Sequence, residues 1–175
     1  SQRVRLVHAG KRRLKLKCFE LVAKATLERK QIKIQHFNRQ TGKTVERTIS
    51  PQQLVHYRDN WYVDAWCHLR KEVRSFAVDA ITECAQLDND AKELDADQLR
   101  LSMQSGYGIF GGAVKGWAKL KFSPERARWV KQEEWHASQK GRELADGSYI
   151  LEIPYSDERE LLGDILRFGS DVQVI

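Results

Sequence analysis

Residues 50–81 read SPQQLVHYRDNWYVDAWCHLRKEVRSFAVDAI, and this stretch decides the fold. Two short β-type runs, 53–58 and 61–68, meet at Asp59-Asn60, a dipeptide that favours a tight turn. Strand alternation sends Trp61, Val63, Ala65 and Cys67 to one face and Tyr62, Asp64, Trp66 and His68 to the other. The first set is the expected core. The second is available to a site or to half-buried packing. Residues 69–72 turn again, and 73–77 form a further strand. Leu54, His56 and Arg58 share one face of the strand before the turn, where His56 is suited to bond a phosphate or a base edge. Arg70 and Arg74 flank the next turn beside His68 and Phe76, and Arg47 lies just upstream. A guanidinium grips phosphate through a planar fork and stacks on flat rings. Cations interleaved with aromatics on strands therefore point to an anionic ligand with bases: nucleic acid or a nucleotide.

The period of two continues upstream. Residues 32–37 are a strand, 39–42 a hairpin turn with Gly42 where positive φ is tolerated, and 43–49 the partner strand. Five short antiparallel strands with tight turns predict a small barrel, because closure removes exposed edges. Ahead of them Leu14, Cys18, Leu21 and Ala25 recur at helical spacing over 14–28, with no capping residue at the start. Residues 1–13 read as an arm. Downstream, 88–105 is an acidic linker with a weak helical face (Leu94, Gln98, Leu101), and GYGIFGG at 106–112 is loop-like.

A second pattern begins at residue 113. Val114, Gly116, Ala118, Leu120 and Phe122 alternate with Lys115, Trp117, Lys119 and Lys121. Ser123 and Pro124 open a helix as N-cap and first residue. A strand is expected over 135–139, a hairpin at Asp146-Gly147 and a strand over 148–155. Asp157 caps a second helix that ends near Gly169, and 171–175 is a last strand. The order βαββαβ predicts a ferredoxin-like split βαβ. The fold class is α+β: an arm and helix over 1–30, a small barrel over 31–87, a linker over 88–112 and the βαββαβ domain over 113–175.

The 175 residues carry a net charge of +6, unevenly spread. Residues 1–87 hold 18 Lys/Arg against 8 Asp/Glu, a balance of +10, and residues 88–175 hold 12 against 16, a balance of −4. The basic half attracts polyanions at long range. No apolar run approaches the ~18 residues of a bilayer span, and the basic N-terminus lacks a signal peptide's apolar stretch. Cys18, Cys67 and Cys84 form neither a CxxC pair nor a disulfide framework, which points to the reducing cytoplasm. Cys67 and His68 are adjacent on a strand, face opposite ways and cannot ligate one metal. The sequence has no Walker, GxGxxG, GxSxG or HExxH motif. No enzyme, catalytic residue, metal or cofactor is expected.

These residues carry a resemblance. The run RTISPQQLVHYRDNWYVDAWCHLRKEVRSFAVDAI, 47–81, resembles the WYL domain of bacterial transcription regulators, with the name-giving triplet standing as Trp61-Tyr62-Val63. Segment 113–175 resembles the C-terminal WCX extension that follows such domains. The resemblance implies a Sm-like, SH3-type barrel, a ligand-sensing role and frequent homodimers. It maps the family's polar pocket onto Ser50, His56, Tyr62, Arg70 and Arg74. Many members carry Tyr on the first barrel strand where this chain has His36. The family also implies a winged helix-turn-helix that binds operator DNA. None is legible ahead of Leu14, so the chain is expected to be the sensing and dimerisation half of a longer regulator.

The leading expectation is a nucleic-acid effector, single-stranded DNA first, bound at the barrel and altering the dimer. A small or cyclic nucleotide is the second reading, and a purely structural dimerisation module the third. Trp117, Trp129 and Trp135 suit either an interface or the sheet-helix core. If two protomers cross over, Lys115, Lys119 and Lys121 add cations to the other protomer's barrel.

Overall fold

A computed structural model describes residues 12–103, 106–109 and 112–175. Nearly all of the expected N-terminal arm, and part of the expected 106–112 loop, lie outside the described residues. The chain divides into two compact units, the first ending at Asp95 and the second beginning at Ala96. Both mix α and β, each around one antiparallel sheet.

In the first unit, helix α1 (Leu16–Leu27) precedes strands β1 (Lys30–Asn38), β2 (Lys43–Tyr57), β3 (Asn60–Cys67), β4 (Glu72–Ala77) and β5 (Ile81–Asp90). A single 3-10 turn, Val78–Ala80, joins β4 to β5. The strand order is β4-β3-β2-β1-β5. Helix α1 forms because Cys18, Val22 and Ala25 present one apolar stripe, which buries against Ile32, Ile34, Ile49, Val63, Ala65 and Cys67. Its start has no side-chain cap, as the sequence predicts.

Three strand expectations need correction. The pattern predicts separate strands over 43–49 and 53–58, and the structure has one strand of 15 residues. Pro51 stands opposite Ala65 and Gln53 opposite Asp64, so Gln52 is the extra residue of a bulge. A bulge is where a strand tolerates a residue without an N–H. The following turn lies one residue earlier than expected: Arg58 and Asp59 take φ of +46° and +62°, and Tyr57 faces Asn60 across the loop. The fifth strand is β5, whose end runs into the acidic stretch expected to be a linker. Most of its side chains are exposed or half-buried, and its backbone pairing with β1 holds it.

The second unit contains α2 (Ala96–Met103), β6 (Gly116–Phe122), α3 (Pro124–Val130), β7 (Lys140–Glu143), β8 (Tyr149–Tyr155), α4 (Glu158–Arg167) and β9 (Val172–Val174). Its strand order is β7-β8-β6-β9. Helix α2 occupies part of the expected linker. Ser123 Oγ accepts from Arg126 N and Asp157 Oδ1 from Arg159 N, so both predicted caps form. Leu120, Phe122, Leu151 and Ile153 build the core with Val130 and Leu161 from the helices. The strand expected over 135–139 is a turn instead. Gln139 Oε1 accepts from Trp135 N at 2.6 Å and His136 N at 3.1 Å, drawing the backbone round. The Trp135 ring stacks on Tyr107 at 5.8 Å and Phe168 at 5.7 Å, which makes it a core residue.

Ile49 is fully buried and faces Ile32 on β1 and Cys67 on β3. Ile49→Ala is expected to cost about 3 kcal/mol in urea unfolding. A loss below ~1 kcal/mol would mean that this junction is not tightly packed.

Candidate nucleic-acid interface

The expected site residues do not meet in one pocket. They gather at the two ends of β3, which are about 20 Å apart along the strand at ~3.3 Å per residue.

The first group surrounds Tyr62. Arg12, just ahead of α1, donates from its backbone N and its Nε to Asn60 Oδ1, at 3.1 and 2.9 Å. Its Nη2 donates to the Tyr62 hydroxyl at 2.7 Å. The same guanidinium lies 3.4 Å from Asp79 Oδ2, an oxygen that Arg39 Nη2 also bonds. The Asp79 side chain is only 6% exposed, so two cations offset the desolvation of its charge. His36 packs edge-on against Phe76 at 5.3 Å. Burial first, then Arg39 and Arg47, hold the His36 imidazole down to about 4, with Asp79 opposing. His36 is therefore neutral at pH 7. His36 Nε2 and Asp79 Oδ1 are buried without a hydrogen-bond partner among the described residues. Arg58 sits 5.1 Å over the Tyr57 ring, which in turn is 6.4 Å from Tyr62. Three guanidiniums, Arg12, Arg39 and Arg47, thus act on a neighbourhood with one carboxylate, a buried imidazole nitrogen and a phenol.

The second group surrounds His68. Ser50 is buried, and its Oγ lies 2.8 Å from His68 Nε2 and accepts from Lys92 N at 2.8 Å. Lys92 Nζ lies 3.3 Å from the centroid of the Trp66 ring. Burial and then Lys92 push the His68 imidazole below its ordinary range. Arg70 is exposed on the β3–β4 turn at the same end. Arg74 faces Ala65 and donates from Nε to Glu72 Oε1 at 2.6 Å. Alternation puts Arg74 on the sheet face opposite Ser50 and Trp66.

His56 joins neither group. It stands on the face away from Tyr62, with its ring 4.8 Å from Trp61, which packs on Phe19 of α1 at 5.2 Å. Phe76 is buried in the core. In the second unit, Lys119 lies 3.6 Å from Glu152 and Lys121 3.7 Å from Asp146, both lysines on the sheet face away from the helices, and Lys115 is exposed just ahead of their strand. Arg12, Arg39, Asn60 and Asp79 escaped the sequence reading. Asp79 carried a legible signal: a solitary acid inside the apolar run FAVDAI demands a cation.

This architecture, a basic five-stranded unit followed by a four-stranded unit, defines a two-module chain. Residues 17–86 match the WYL domain and residues 115–175 the WCX domain. The chain therefore carries a WYL domain followed by a WCX domain. It is 40% identical over 52 residues to the DNA-binding transcriptional repressor CapW of Pseudomonas aeruginosa, covering 30% of this chain and 17% of that protein. It is 27% identical over 129 residues to Protein PafC of Mycobacterium tuberculosis, covering 74% of this chain and 39% of that protein. The chain thus spans less than half the length of these relatives. A solved structure of proteasome accessory factor B/C of Arthrobacter aurescens aligns with 96% of this chain and 26% of its own, at 19% identity and a TM-score of 0.46. That likeness is too distant to carry an argument about the site. Among the described residues no helix is long and apolar enough to cross a membrane.

Tyr62→Phe removes the acceptor of the Arg12 bond and is expected to cost about 1.5 kcal/mol in urea unfolding. In a double-mutant cycle with Arg12→Ala the losses should be non-additive, and strict additivity would show that the pair is not coupled. Stability should also fall as pH drops from about 6.5 toward about 4. In that window the unfolded chain binds a proton that folded His36 refuses, and above it both states are neutral at this ring. His36→Gln should flatten the unfolding midpoint between pH 7 and pH 5, with the residual slope partly from His68. An unchanged slope would show that His36 does not drive it.

Proposed function

We propose that this chain is the effector-sensing part of a bacterial transcription regulator, and that its WYL unit binds a nucleic-acid effector, single-stranded DNA first. The observation that carries this reading is the surplus of guanidinium charge around Tyr62. Asp79 neutralises one of three cations and orients two of them, Arg12 and Arg39. A phosphate placed there finds fixed forks and a phenol.

The two groups of polar residues, about 20 Å apart along β3, support an extended ligand. Its phosphates contact Arg47 and Arg58 at one end and Arg70 and Arg74 at the other. The compactness of the Tyr62 group by itself favours a small or cyclic nucleotide as the second reading. The strand order of the first sheet supports a Sm-like, SH3-type barrel, and the order β7-β8-β6-β9 around βαββαβ supports a ferredoxin-like second domain. The regulator is a cytoplasmic homodimer without enzymatic activity. It meets operator DNA through a winged helix-turn-helix outside the residues of this chain. The greater length of its relatives, and the name of CapW as a DNA-binding repressor, support this last part.

Fluorescence anisotropy with labelled single strands, duplexes and nucleotides at several salt concentrations tests the reading. A single strand should bind more tightly than the matched duplex at ~150 mM salt and show a steep salt slope. A shallow slope with a mononucleotide of equal affinity would select the second reading. The Arg70→Ala/Arg74→Ala variant should lose ~1.5–3 kcal/mol of binding per contact with little change in melting temperature. Undiminished affinity in that variant removes the β3–β4 turn from the site. Sedimentation at micromolar concentration should show a dimer of the 20.3 kDa chain. A clean monomer overturns the dimeric part.

A further inference from the structure

The sheet of the second unit has two unlike faces. Leu120, Phe122, Leu151 and Ile153 point toward α3 and α4. The registers put Trp117, Lys119 and Lys121 of β6 on the other face. There Lys119, Glu152 and Lys140 form one row across β6, β8 and β7, and Lys121, Ile150 and Arg142 form the next. Successive rows lie about 7 Å apart along the strands. Trp117 stands at the end of this pattern, opposite Pro154, with 48% of its surface exposed and Lys140 Nζ 5.1 Å from its ring centroid.

The charge on this face runs against the charge of its surroundings. Residues 88–175 carry −4 overall, yet Lys119, Lys121, Lys140 and Arg142 converge here. Glu152 and Asp146 pair with Lys119 and Lys121 at 3.6 and 3.7 Å. Exposed pairs of that kind are weak and exchange readily for a stronger anion. Among the described residues, no carboxylate forms an ion pair with Lys140 or Arg142.

An exposed indole on an open sheet needs an occupant that tolerates this charge. A second copy docked face to face sets this net positive patch, four cations with the carboxylates of Glu152 and Asp146, against the same net charge. A single-stranded nucleic acid satisfies both features. Its bases stack on an aromatic ring regardless of sequence, and its phosphates take the cations. We infer that the open face of the second sheet is a platform for single-stranded nucleic acid, with Trp117 stacking a base and Lys119, Lys121, Lys140 and Arg142 holding phosphates. This goes beyond the WYL-unit site and stands without it. It assigns Lys119 and Lys121 to a surface of their own and not to another protomer's barrel.

The test uses the full chain and an oligodeoxythymidine of about 12 nucleotides, long enough for one such platform, with 5-iodouracil replacing one base. Irradiation should yield an adduct on the peptide that holds Trp117. The Trp117→Ala/Lys140→Ala variant should lose that adduct and bind the unmodified strand about tenfold more weakly, as expected for one lost stack. Trp117→Phe should recover part of the affinity, and an unchanged melting temperature excludes misfolding, since Trp117 is not a core residue. The Arg70→Ala/Arg74→Ala variant should keep the Trp117 adduct, which separates this platform from the WYL-unit site. Adducts confined to residues 12–95 overturn the inference, as does unchanged affinity in the double variant. A variant that turns a dimer into a monomer while leaving strand binding intact also overturns it, and identifies the face as a protein interface.

Discussion

The first unit hangs on one strand with a planned defect. Strand β2 pairs with β1 through its first half and with β3 through its second, and Ile49 belongs to both ladders. Pro51 cannot donate to either ladder, so the register slips by one residue at Gln52. The slip restores alternation: Leu54 faces the core beyond the bulge just as Ile49 does before it. A strand without it would turn its second half inside out. The displaced Gln52 then does structural work of its own. Its amide donates to Ser50 O and Lys92 O, and its Oε1 accepts from Leu94 N. Together with the Ser50 hydroxyl, it clips the segment after β5 to the middle of the sheet.

Burial, more than the count of charges, decides where electrostatics matter. Surface pairs such as Lys24–Glu28 and Arg74–Glu72 are exposed on both sides and contribute little to stability. Asp79 is different because it is almost sealed from water. Left alone its charge would cost several kcal/mol, so it draws Arg12 and Arg39 to one point. Asp64 follows the same rule with neutral partners. Burial pushes its carboxyl above the usual range, and donors from Gln53 and Ser75 oppose that shift. The result around Tyr62 is a rigid group of cations whose positions are set by a carboxylate.

Much of this was legible without coordinates. Helix α1, both helix caps in the second unit, the inward face of β3 and the two faces of β6 all follow from short-range patterns in the chain. The misreadings have a common cause. Pro51 looks like a break because its effect on a ladder depends on what lies opposite. The end of β5, residues 88–90, looks like the start of a linker because its side chains are acidic and polar, whereas its place is secured by backbone pairing with β1. Residues 135–139 look like a strand until the Gln139 side chain is known to cap the turn.

Sequence alone determined that both units mix α and β, the core faces, the basic first half and the types of side chain available to an anionic ligand. Those properties are local, since periodicity, caps and charge are read within a few residues. Which of those side chains meet was decided only by tertiary structure. Arg12 reaches Asn60 and Tyr62 across 48 and 50 residues, and Arg39 reaches Asp79 across 40. Meanwhile Tyr62 in β3 and His68 just past its end, six residues apart in sequence, end in separate groups. An extended strand holds its own residues apart at ~3.3 Å each, while sheet register and the desolvation of a buried charge bring distant residues together.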